Sequence, residues 1–275
     1  MSTEPVRPFL TVVIPSYRGV HRIPTLLEEL EATLPAIPAG AGTGRGRLIE
    51  ILVVEDGSPE EEQHRLRDLV AGRNGALRQS RATVAFDYQT ICLPRNRGQQ
   101  YATIAGISLA RGELIATVDD DGGHPPTVLV EMVRTMIDDP RINLLYAAPI
   151  ADSTASRPWT RRVGTFFNNA LFYLFAGKPF DVPVTSFRVI RRDLVQRALT
   201  LPVRYAYLSA MLFACHPRVA AHRYIPVAAG DGGSRYSLSR LASIFWNLLL
   251  YWGPLRPIGR FLRPPRPLDL PRGCD

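Results

Sequence analysis

The sequence predicts an α/β fold in which helices flank a mostly parallel central sheet. Short runs of apolar and β-branched residues alternate with segments whose apolar residues recur at helical spacing. Turn-forming or acidic residues follow several of the strand-like runs, and 275 residues are enough for one large α/β domain. Strands separated by helices indicate parallel pairing with right-handed crossovers.

The first half of the chain supplies the clearest elements. Continuous apolar runs predict strands at 9–15, 49–54, 88–93, 113–118 and 144–148. Apolar residues at helical spacing predict helices at 23–34, 60–70, 98–110 and 127–137. The segment 35–47 is a loop rich in Pro, Gly and Ala, and Ser58 or the turn after it provides a cap for the helix at 60–70.

The second half is less regular. Helices are predicted at 159–175, with an aromatic face, and at 193–199, 206–215 and 237–251. Strands are predicted at 184–190 and within 218–227. The segment 254–275 is rich in Pro and Arg, so an extended or disordered tail is expected there.

Composition and charge limit the possible functions. A net charge of +8 favours polyanionic partners such as phosphates or an anionic membrane face. We expect no nucleic-acid partner, because no recognition module accompanies that charge. Three separated cysteines form neither a disulfide framework nor a zinc pattern, as is typical of a reducing compartment. Residues 1–8 lack the apolar run of a secretory signal, so a cytoplasmic location is expected.

The segment 241–255 is apolar and aromatic, and arginines follow it at 256, 260, 263 and 266. No apolar run reaches the roughly 20 residues that span a bilayer. The pattern predicts an interfacial anchor, and therefore peripheral association with the cytoplasmic face of a membrane. A core or dimer helix would explain it equally well.

An acidic cluster, Asp119, Asp120 and Asp121, directly follows the predicted strand 113–118. Open α/β sheets bind ligands at the carboxyl ends of their strands. Asp119 and Asp121 would point the same way if the strand continued, and their charges would repel unless a cation lay between them. Mg²⁺ or Mn²⁺ suits such oxygen ligands. The alternative is an acidic turn that caps the next helix.

Two other strand ends are expected to open onto the same edge, at 14–18 and 55–58. Tyr17 is placed to pack against a base, and Asp56 to accept a hydrogen bond from base or ribose. A cation at Asp119 and Asp121 would hold a diphosphate. The order of these sites along the chain predicts a nucleotide-binding edge.

Five motifs occur in a characteristic order: VVIPSY, ILVVEDGSP, NRGQQYATIAGISLARGELIATVDDDGGHPP, SFRVIRRDLV and GGSRYSLSRLASI. In this order the chain resembles the family 2 glycosyltransferases, and among them the dolichyl- and polyprenyl-phosphate sugar synthases. The resemblance covers about residues 9–255. Its most specific part is 96–126, which joins the N-x-G-Q motif to the acidic cluster and H-P-P.

The resemblance implies an A-type glycosyltransferase fold, a nucleotide-diphosphate sugar donor, a Mg²⁺ or Mn²⁺ cofactor, and inverting transfer to a polyprenyl or dolichyl phosphate. It implies metal ligands at Asp119 and Asp121 and catalytic roles for Asp121, Arg161 and Arg235. By position, the implied substrate-binding residues are Pro15, Tyr17, Glu55, Asp56, Asn96, Arg97, Asp119, Asp120, Arg157, Arg162, Ser186, Arg188, Ser234 and Tyr236.

The implied arginines have a physical rationale. Guanidinium groups pair bidentately with phosphate, so Arg157, Arg161 and Arg162 could hold the acceptor phosphate while Arg235 steadies the donor diphosphate. Read without the resemblance, the first three would be a solvated helix start. We expect His124 to shape the turn after the acidic cluster.

The chain departs from the family pattern at four positions. Gly19 stands where the family usually has Glu, and Arg18 replaces Asn, which changes the base pocket. Gly123 stands where close relatives have a metal-holding Gln, and Asp120 offers an extra carboxylate. Ala229 replaces an Arg.

The implied organisation is an N-terminal segment 1–8, a catalytic domain 9–228, a lid and amphipathic helix 229–255, and a tail 256–275. The catalytic domain divides into a nucleotide-sugar half, 9–123, and an acceptor half, 124–228. The paired carboxyl-terminal transmembrane helices common in bacterial relatives are not evident in the sequence. Two other functions therefore remain open: a soluble family 2 transferase with a small or natural-product acceptor, and a non-enzymatic binding protein.

Overall fold

The computed structural model describes residues 7–38, 47–77, 84–150, 182–226, 238–253, 255 and 257–258. The strands are β1 (Leu10–Ser16), β2 (Arg47–Glu55), β3 (Val84–Cys92), β4 (Leu114–Thr117), β5 (Leu144–Pro149), β6 (Arg188–Arg191) and β7 (Val219–Tyr224). The helices within these ranges are α1 (Ile23–Thr33), α2 (Glu60–Leu77), α3 (Gln99–Leu109), α4 (Pro126–Asp138), α5 (Arg192–Leu199), α6 (Leu208–Ala214) and α7 (Leu238–Tyr251), with a 3₁₀ turn at Leu34–Ala36.

The strands form one seven-stranded sheet in the order β3-β2-β1-β4-β6-β5-β7. β1 pairs in parallel with both β2 and β4, and β2 pairs in parallel with β3. β6 alone runs against its neighbours, because it pairs antiparallel with both β4 and β5. The predicted mostly parallel sheet is therefore confirmed.

Two hydrophobic layers cover the two faces of the sheet. One joins α1, α2 and α4 to the sheet, through residues such as Leu27, Leu66 and Met132. The other joins α3, α5, α6 and α7 to the opposite face, through residues such as Ile104 and Leu248. β1 is buried along its whole length, as expected for a central parallel strand covered on both faces.

Most predicted elements lie within a few residues of the observed ones, and the differences have local causes. α2 continues to Leu77, because no Pro interrupts it. β6 begins at Arg188 rather than at residue 184, because its registered pairing with β4 and β5 starts there, while the Thr185 hydroxyl bonds to the carbonyl oxygens of Ala147 and Phe187. The helix predicted at 159–175 lies outside the described residues, and so does the predicted tail except for residues 255, 257 and 258.

α7 occupies nearly the predicted span, and Leu248 and Phe245 pack into the second layer while Trp246 is 56% exposed. Among the residues that the structure describes, no helix has both the length and the apolar character needed to cross a membrane.

Candidate active site

Three loops meet at the carboxyl edge of the sheet. Ser16 at the end of β1 is the register partner of Glu55 at the end of β2, and β4 ends beside β1 at Thr117. The Asp56 amide donates to the Ser16 carbonyl at 2.9 Å. The parallel topology thus brings the three predicted strand ends to one edge, as expected.

Asp119 is held from two directions. Its Oδ1 accepts from Gln99 Nε2 at 2.6 Å, and its Oδ2 accepts from Ser186 Oγ at 2.7 Å. Gln99 opens α3, whereas Ser186 precedes the antiparallel strand β6. The carboxylate therefore joins a residue of the predicted nucleotide-sugar half, 9–123, to a residue of the predicted acceptor half, 124–228.

His124 closes the turn after the acidic cluster, as expected. Its Nδ1 accepts from the Asp119 amide at 2.9 Å, and its ring stacks on Phe187 with centroids 4.5 Å apart. Burial lowers the pKa of His124, against the opposing pull of Asp119 and Asp121. The imidazole is therefore neutral near pH 7 and carries its proton on Nε2, which lies 3.7 Å from Asp119 Oδ2.

Asp121 lies on the exposed side of the turn, where its Oδ1 accepts from the Gly123 amide at 3.0 Å. Asp119 and Asp121 would point the same way only if β4 continued through them. The strand instead ends at Thr117 and the chain turns, with Gly122 at φ 74°. Asp119 is half-buried and Asp121 exposed, so both remain on the open edge, without strict alternation.

Asp120 points the other way, into the protein. The residue is 7% exposed, and its Oδ2 accepts from Ser16 Oγ at 2.7 Å and from Arg22 Nη2 at 3.0 Å. From the sequence, Asp120 is expected to be an extra carboxylate for the metal and substrate. The structure instead places it beneath the loop that follows β1.

The acidic loop fits a hard divalent cation of the Mg²⁺ or Mn²⁺ kind. In the described part of the chain, arginine pairs with Asp120 but with neither Asp119 nor Asp121, so two carboxylates keep uncompensated charge beside a neutral His124. Within those same ranges, no three His, Cys, Asp or Glu side chains group around a possible metal position. Mg²⁺ is usually bound by one or two protein carboxylates together with substrate phosphates.

The loop after β1 presents an aromatic surface. Tyr17 is 42% exposed, and the Arg18 guanidinium lies 5.4 Å from the centre of its ring. Arg18 has φ 53°, and its amide donates to Ser58 Oγ at 2.8 Å, which ties this loop to the one after β2. Pro15 is buried behind them. Contact of Tyr17 and Pro15 with a base stays a prediction.

Glu55 and Asp56 are both buried, and both hold backbone amides. Glu55 accepts from the amides of Gly57 at 3.0 Å and Ser58 at 2.8 Å. Asp56 accepts from the amides of Arg97 at 2.8 Å and Gly98 at 2.7 Å. Burial raises the pKa of Asp56, and these two amide bonds partly offset the rise. Both carboxylates thus build the loops, and a further bond to substrate stays a prediction.

The loop after β2 packs closely against the loop after β3 at Gly57, which has φ 71°. A Cβ there would lie 2.3 Å from the Arg95 carbonyl carbon and the Asn96 nitrogen. Asn96 and Arg97 are exposed at this edge, and the Arg97 guanidinium lies 3.5 Å from the centre of the Tyr101 ring. Both residues are therefore accessible beside the acidic loop, as their predicted donor role requires.

Arg188 is the first residue of β6 and is only 2% exposed. Its Nη1 donates to Ser209 Oγ at 2.8 Å, and its guanidinium lies 5.7 Å from the centre of the Tyr146 ring. Of the two predicted acceptor-side residues in the described part of the chain, Ser186 is the one that the structure brings to the acidic loop. The remaining predicted site residues fall outside the described ranges, namely Arg157, Arg161, Arg162, Ser234, Arg235 and Tyr236.

Sequence reasoning did not give Gln99 or Arg22 a role in the site. Both bond to the acidic loop through contacts that span 20 and 98 residues, respectively. Gln99 could have been found, since it completes the N-x-G-Q motif at the start of a helix. Nothing in the sequence marks Arg22.

Comparisons with known proteins agree on the fold. The family model for glycosyl transferase family 2 matches residues 11–199. The chain is 26% identical over 240 residues to an undecaprenyl-phosphate 4-deoxy-4-formamido-L-arabinose transferase of Pseudomonas paraeruginosa, covering 87% of this chain. It spans 64% of that relative's length. It is 25% identical to the enzyme of the same name from Serratia proteamaculans, over 92% of this chain and 71% of that one.

Solved structures resemble the fold at lower identity. One is a mannosyltransferase of Pyrobaculum calidifontis in complex with GDP-Man and Mn²⁺, with TM-score 0.52, 16% identity, and coverage of 83% of this chain and 59% of that chain. Another is glucosyl-3-phosphoglycerate synthase of Mycobacterium tuberculosis with Mn²⁺, UDP and phosphoglyceric acid, with TM-score 0.57, 15% identity, and coverage of 88% and 78%.

Proposed function

This chain belongs to glycosyl transferase family 2, and we propose that it transfers a sugar, with inversion, from a nucleotide-diphosphate sugar to a polyprenyl phosphate. The observation that carries the proposal is the position of Asp119. Its carboxylate bonds to Gln99, in the predicted nucleotide-sugar half, and to Ser186, in the predicted acceptor half, so donor and acceptor would meet beside it. The names of the curated relatives support the acceptor class.

The donor would lie across the carboxyl edge of the sheet. Tyr17 would pack against its base, and Asn96 and Arg97 would flank it from the β3 loop. A bound Mg²⁺ or Mn²⁺ would neutralise charge that develops on the leaving diphosphate. Asp119 and Asp121 would hold that ion, because they are the carboxylates of the loop that arginine leaves unpaired in the described part of the chain.

The acceptor would approach from the side of Ser186. We propose that its phosphate is held by Arg157, Arg161 and Arg162, and that Arg188 supports the wall of the acceptor site. The donor diphosphate would be covered by Ser234, Arg235 and Tyr236. A phosphate is already ionised near neutral pH, so attack requires little or no general base. The rate would then depend on in-line positioning and on charge neutralisation.

Peripheral binding to the cytoplasmic membrane face is part of the proposal. Trp246 on α7 is 56% exposed and Ile258 is 53% exposed, and arginines follow at 260, 263 and 266. Exposed apolar groups beside cations suit the interface of an anionic leaflet. The lid and amphipathic segment, 229–255, would then hold the active site at the membrane surface, where the lipid substrate lies.

A transfer screen tests the proposal. Purified protein with Mn²⁺ or Mg²⁺ is incubated with radiolabelled nucleotide sugars and undecaprenyl or dolichyl phosphate, and label in the organic phase is counted. We expect one donor to label the lipid, and Asp121→Asn to reduce labelling by roughly 100-fold or more. If no donor labels lipid, yet one binds or is slowly hydrolysed with metal, the acceptor is a small soluble molecule instead.

A further inference from the structure

We propose that Asp120 is a positioning residue that fixes the nucleotide loop to the metal loop through Arg22, rather than a ligand of the metal or the donor. The inference rests on the proposed function, because it assigns those two loops to the donor. It gives the middle carboxylate of the acidic cluster a role distinct from that of its two neighbours.

Arg22 forms two hydrogen bonds with Asp120. Its Nη2 lies 3.0 Å from Asp120 Oδ2, and its Nε donates to the Asp120 carbonyl oxygen at 3.0 Å. Ser16 Oγ donates to the same Oδ2 at 2.7 Å. One side chain of the β4 loop is thus bonded to both ends of the segment 16–22, which includes Tyr17 and Arg18.

Gly19 provides the space for this arrangement. A Cβ at residue 19 would lie 2.0 Å from Asp120 Oδ2, 2.5 Å from Ser16 Oγ and 2.9 Å from Arg22 Nη2. Any side chain at position 19 would therefore occupy the position of the Asp120 carboxylate. The family resemblance leads us to expect Glu at position 19, in the loop after β1. In this chain that position is Gly, and Asp120, in the loop after β4, places its carboxylate in the same space.

The direction of the side chain separates Asp120 from its neighbours. Its carboxylate is buried and neutralised by Arg22, whereas Asp121 is exposed and Asp119 lies half-buried between Gln99 and Ser186. A partly buried ion pair of this kind is costly to break, because the surviving charge is left without its partner. Removing either partner should let the two loops shift. Small shifts of this kind lower the rate of a reaction that depends on the alignment of its substrates.

The test compares Asp120→Ala, Arg22→Ala and the double variant, with Asp119→Asn as the metal-site control. Nucleotide binding is followed by quenching of intrinsic fluorescence with UDP and GDP, Mn²⁺ binding by electron paramagnetic resonance, and turnover by the transfer assay. We expect both single variants to lose roughly 10- to 100-fold in turnover. The double variant should be no worse than either, since both changes break one link.

Mn²⁺ affinity decides between the two roles. If Asp120 acts through Arg22, both alanine variants keep the Mn²⁺ affinity of the wild type in the presence of nucleotide, while Asp119→Asn loses it. Loss of Mn²⁺ binding in Asp120→Ala but not in Arg22→Ala would overturn the proposal. The proposal would also be overturned if the turnover losses of the two single variants were additive in the double variant. Asp120→Asn keeps an acceptor oxygen, and replaces Asp120→Ala if the latter does not fold.

A second measurement does not depend on any sugar or acceptor. Gly19→Ala should lower the melting temperature, because its Cβ competes with the Asp120 carboxylate for one space. In the Asp120→Ala background the same change should cost clearly less, so the two effects should not add. Full additivity would contradict the shared space. Absence of lipid transfer by the wild type would instead refute the proposed function and leave this test intact.

Discussion

Asp119 and Asp121 differ from Asp120 because their charge has no arginine partner in the described part of the chain. We expect Asp119→Asn and Asp121→Asn each to reduce transfer by roughly 100-fold or more, since leaving-group charge would lose its stabilisation. Circular dichroism should show an intact fold. Wild-type turnover in either variant would contradict the metal-site assignment.

Gln99 gives a second prediction at the residue scale, because its amide donates to Asp119 Oδ1 at 2.6 Å. Residues that orient a metal ligand typically contribute 10–100-fold to affinity or activity, so Gln99→Ala should lower turnover by roughly that factor. Gln100→Ala is the matched control, because within the described ranges its Oε1 accepts only a long 3.4 Å bond from the Leu208 amide. Equal losses in the two variants would refute the orienting role.

The sequence was sufficient to locate these acids but not to assign their individual roles. The strand-then-breaker pattern correctly placed Asp119 at the open edge. Which acid points inward depends on where β4 ends, and on Arg22, which lies 98 residues away along the chain. Contacts of that span leave no periodic signal in the sequence, so Asp120 was assigned to the substrate.

At the scale of elements, α3 packs closely against the sheet. A Cβ on Gly106 would lie 2.4 Å from Val13 Cγ1 and 2.7 Å from Val54 Cγ2. Gly106→Ala should therefore destabilise the fold by about 1–3 kcal/mol through overpacking. Gly72→Ala in α2, where a Cβ would have no heavy atom within 4 Å, should instead stabilise it by about 0.5–1 kcal/mol.

Chemical denaturation of both variants checks this prediction, and each glycine serves as the control for the other. A neutral Gly106→Ala would mean that α3 can move away from β1 and β2. Because α3 also carries Gln99, such freedom would weaken the argument that the helix fixes the acidic loop.

The A-type glycosyltransferase fold implied by the resemblance is confirmed by solved structures of that class. Element types were predictable because apolar runs and helical spacing differ clearly in the first half of the chain. The direction of β6 was not, since four residues carry no signal of parallel or antiparallel pairing. That direction matters for the site, because it brings Ser186 beside Asp119.

For the whole molecule, the net charge of +8 predicts salt-dependent attachment to membranes. In sedimentation with vesicles, we expect more protein to bind anionic than zwitterionic lipid, and binding to fall as salt screens the attraction. Trp246→Ala should weaken binding at low salt, since it removes the exposed aromatic group of α7. Binding that ignores both salt and lipid charge would contradict peripheral attachment.

The place of β6 between β4 and β5 also governs how the chain folds during synthesis. β1 to β4 emerge first and can assemble as a parallel unit, but β5 has no edge to join until β6 appears. Until then β4 presents an unpaired edge, which is a template for association between nascent chains. A fragment that stops at residue 150 should therefore aggregate on the ribosome or soon after release, whereas one that extends past β7 should not.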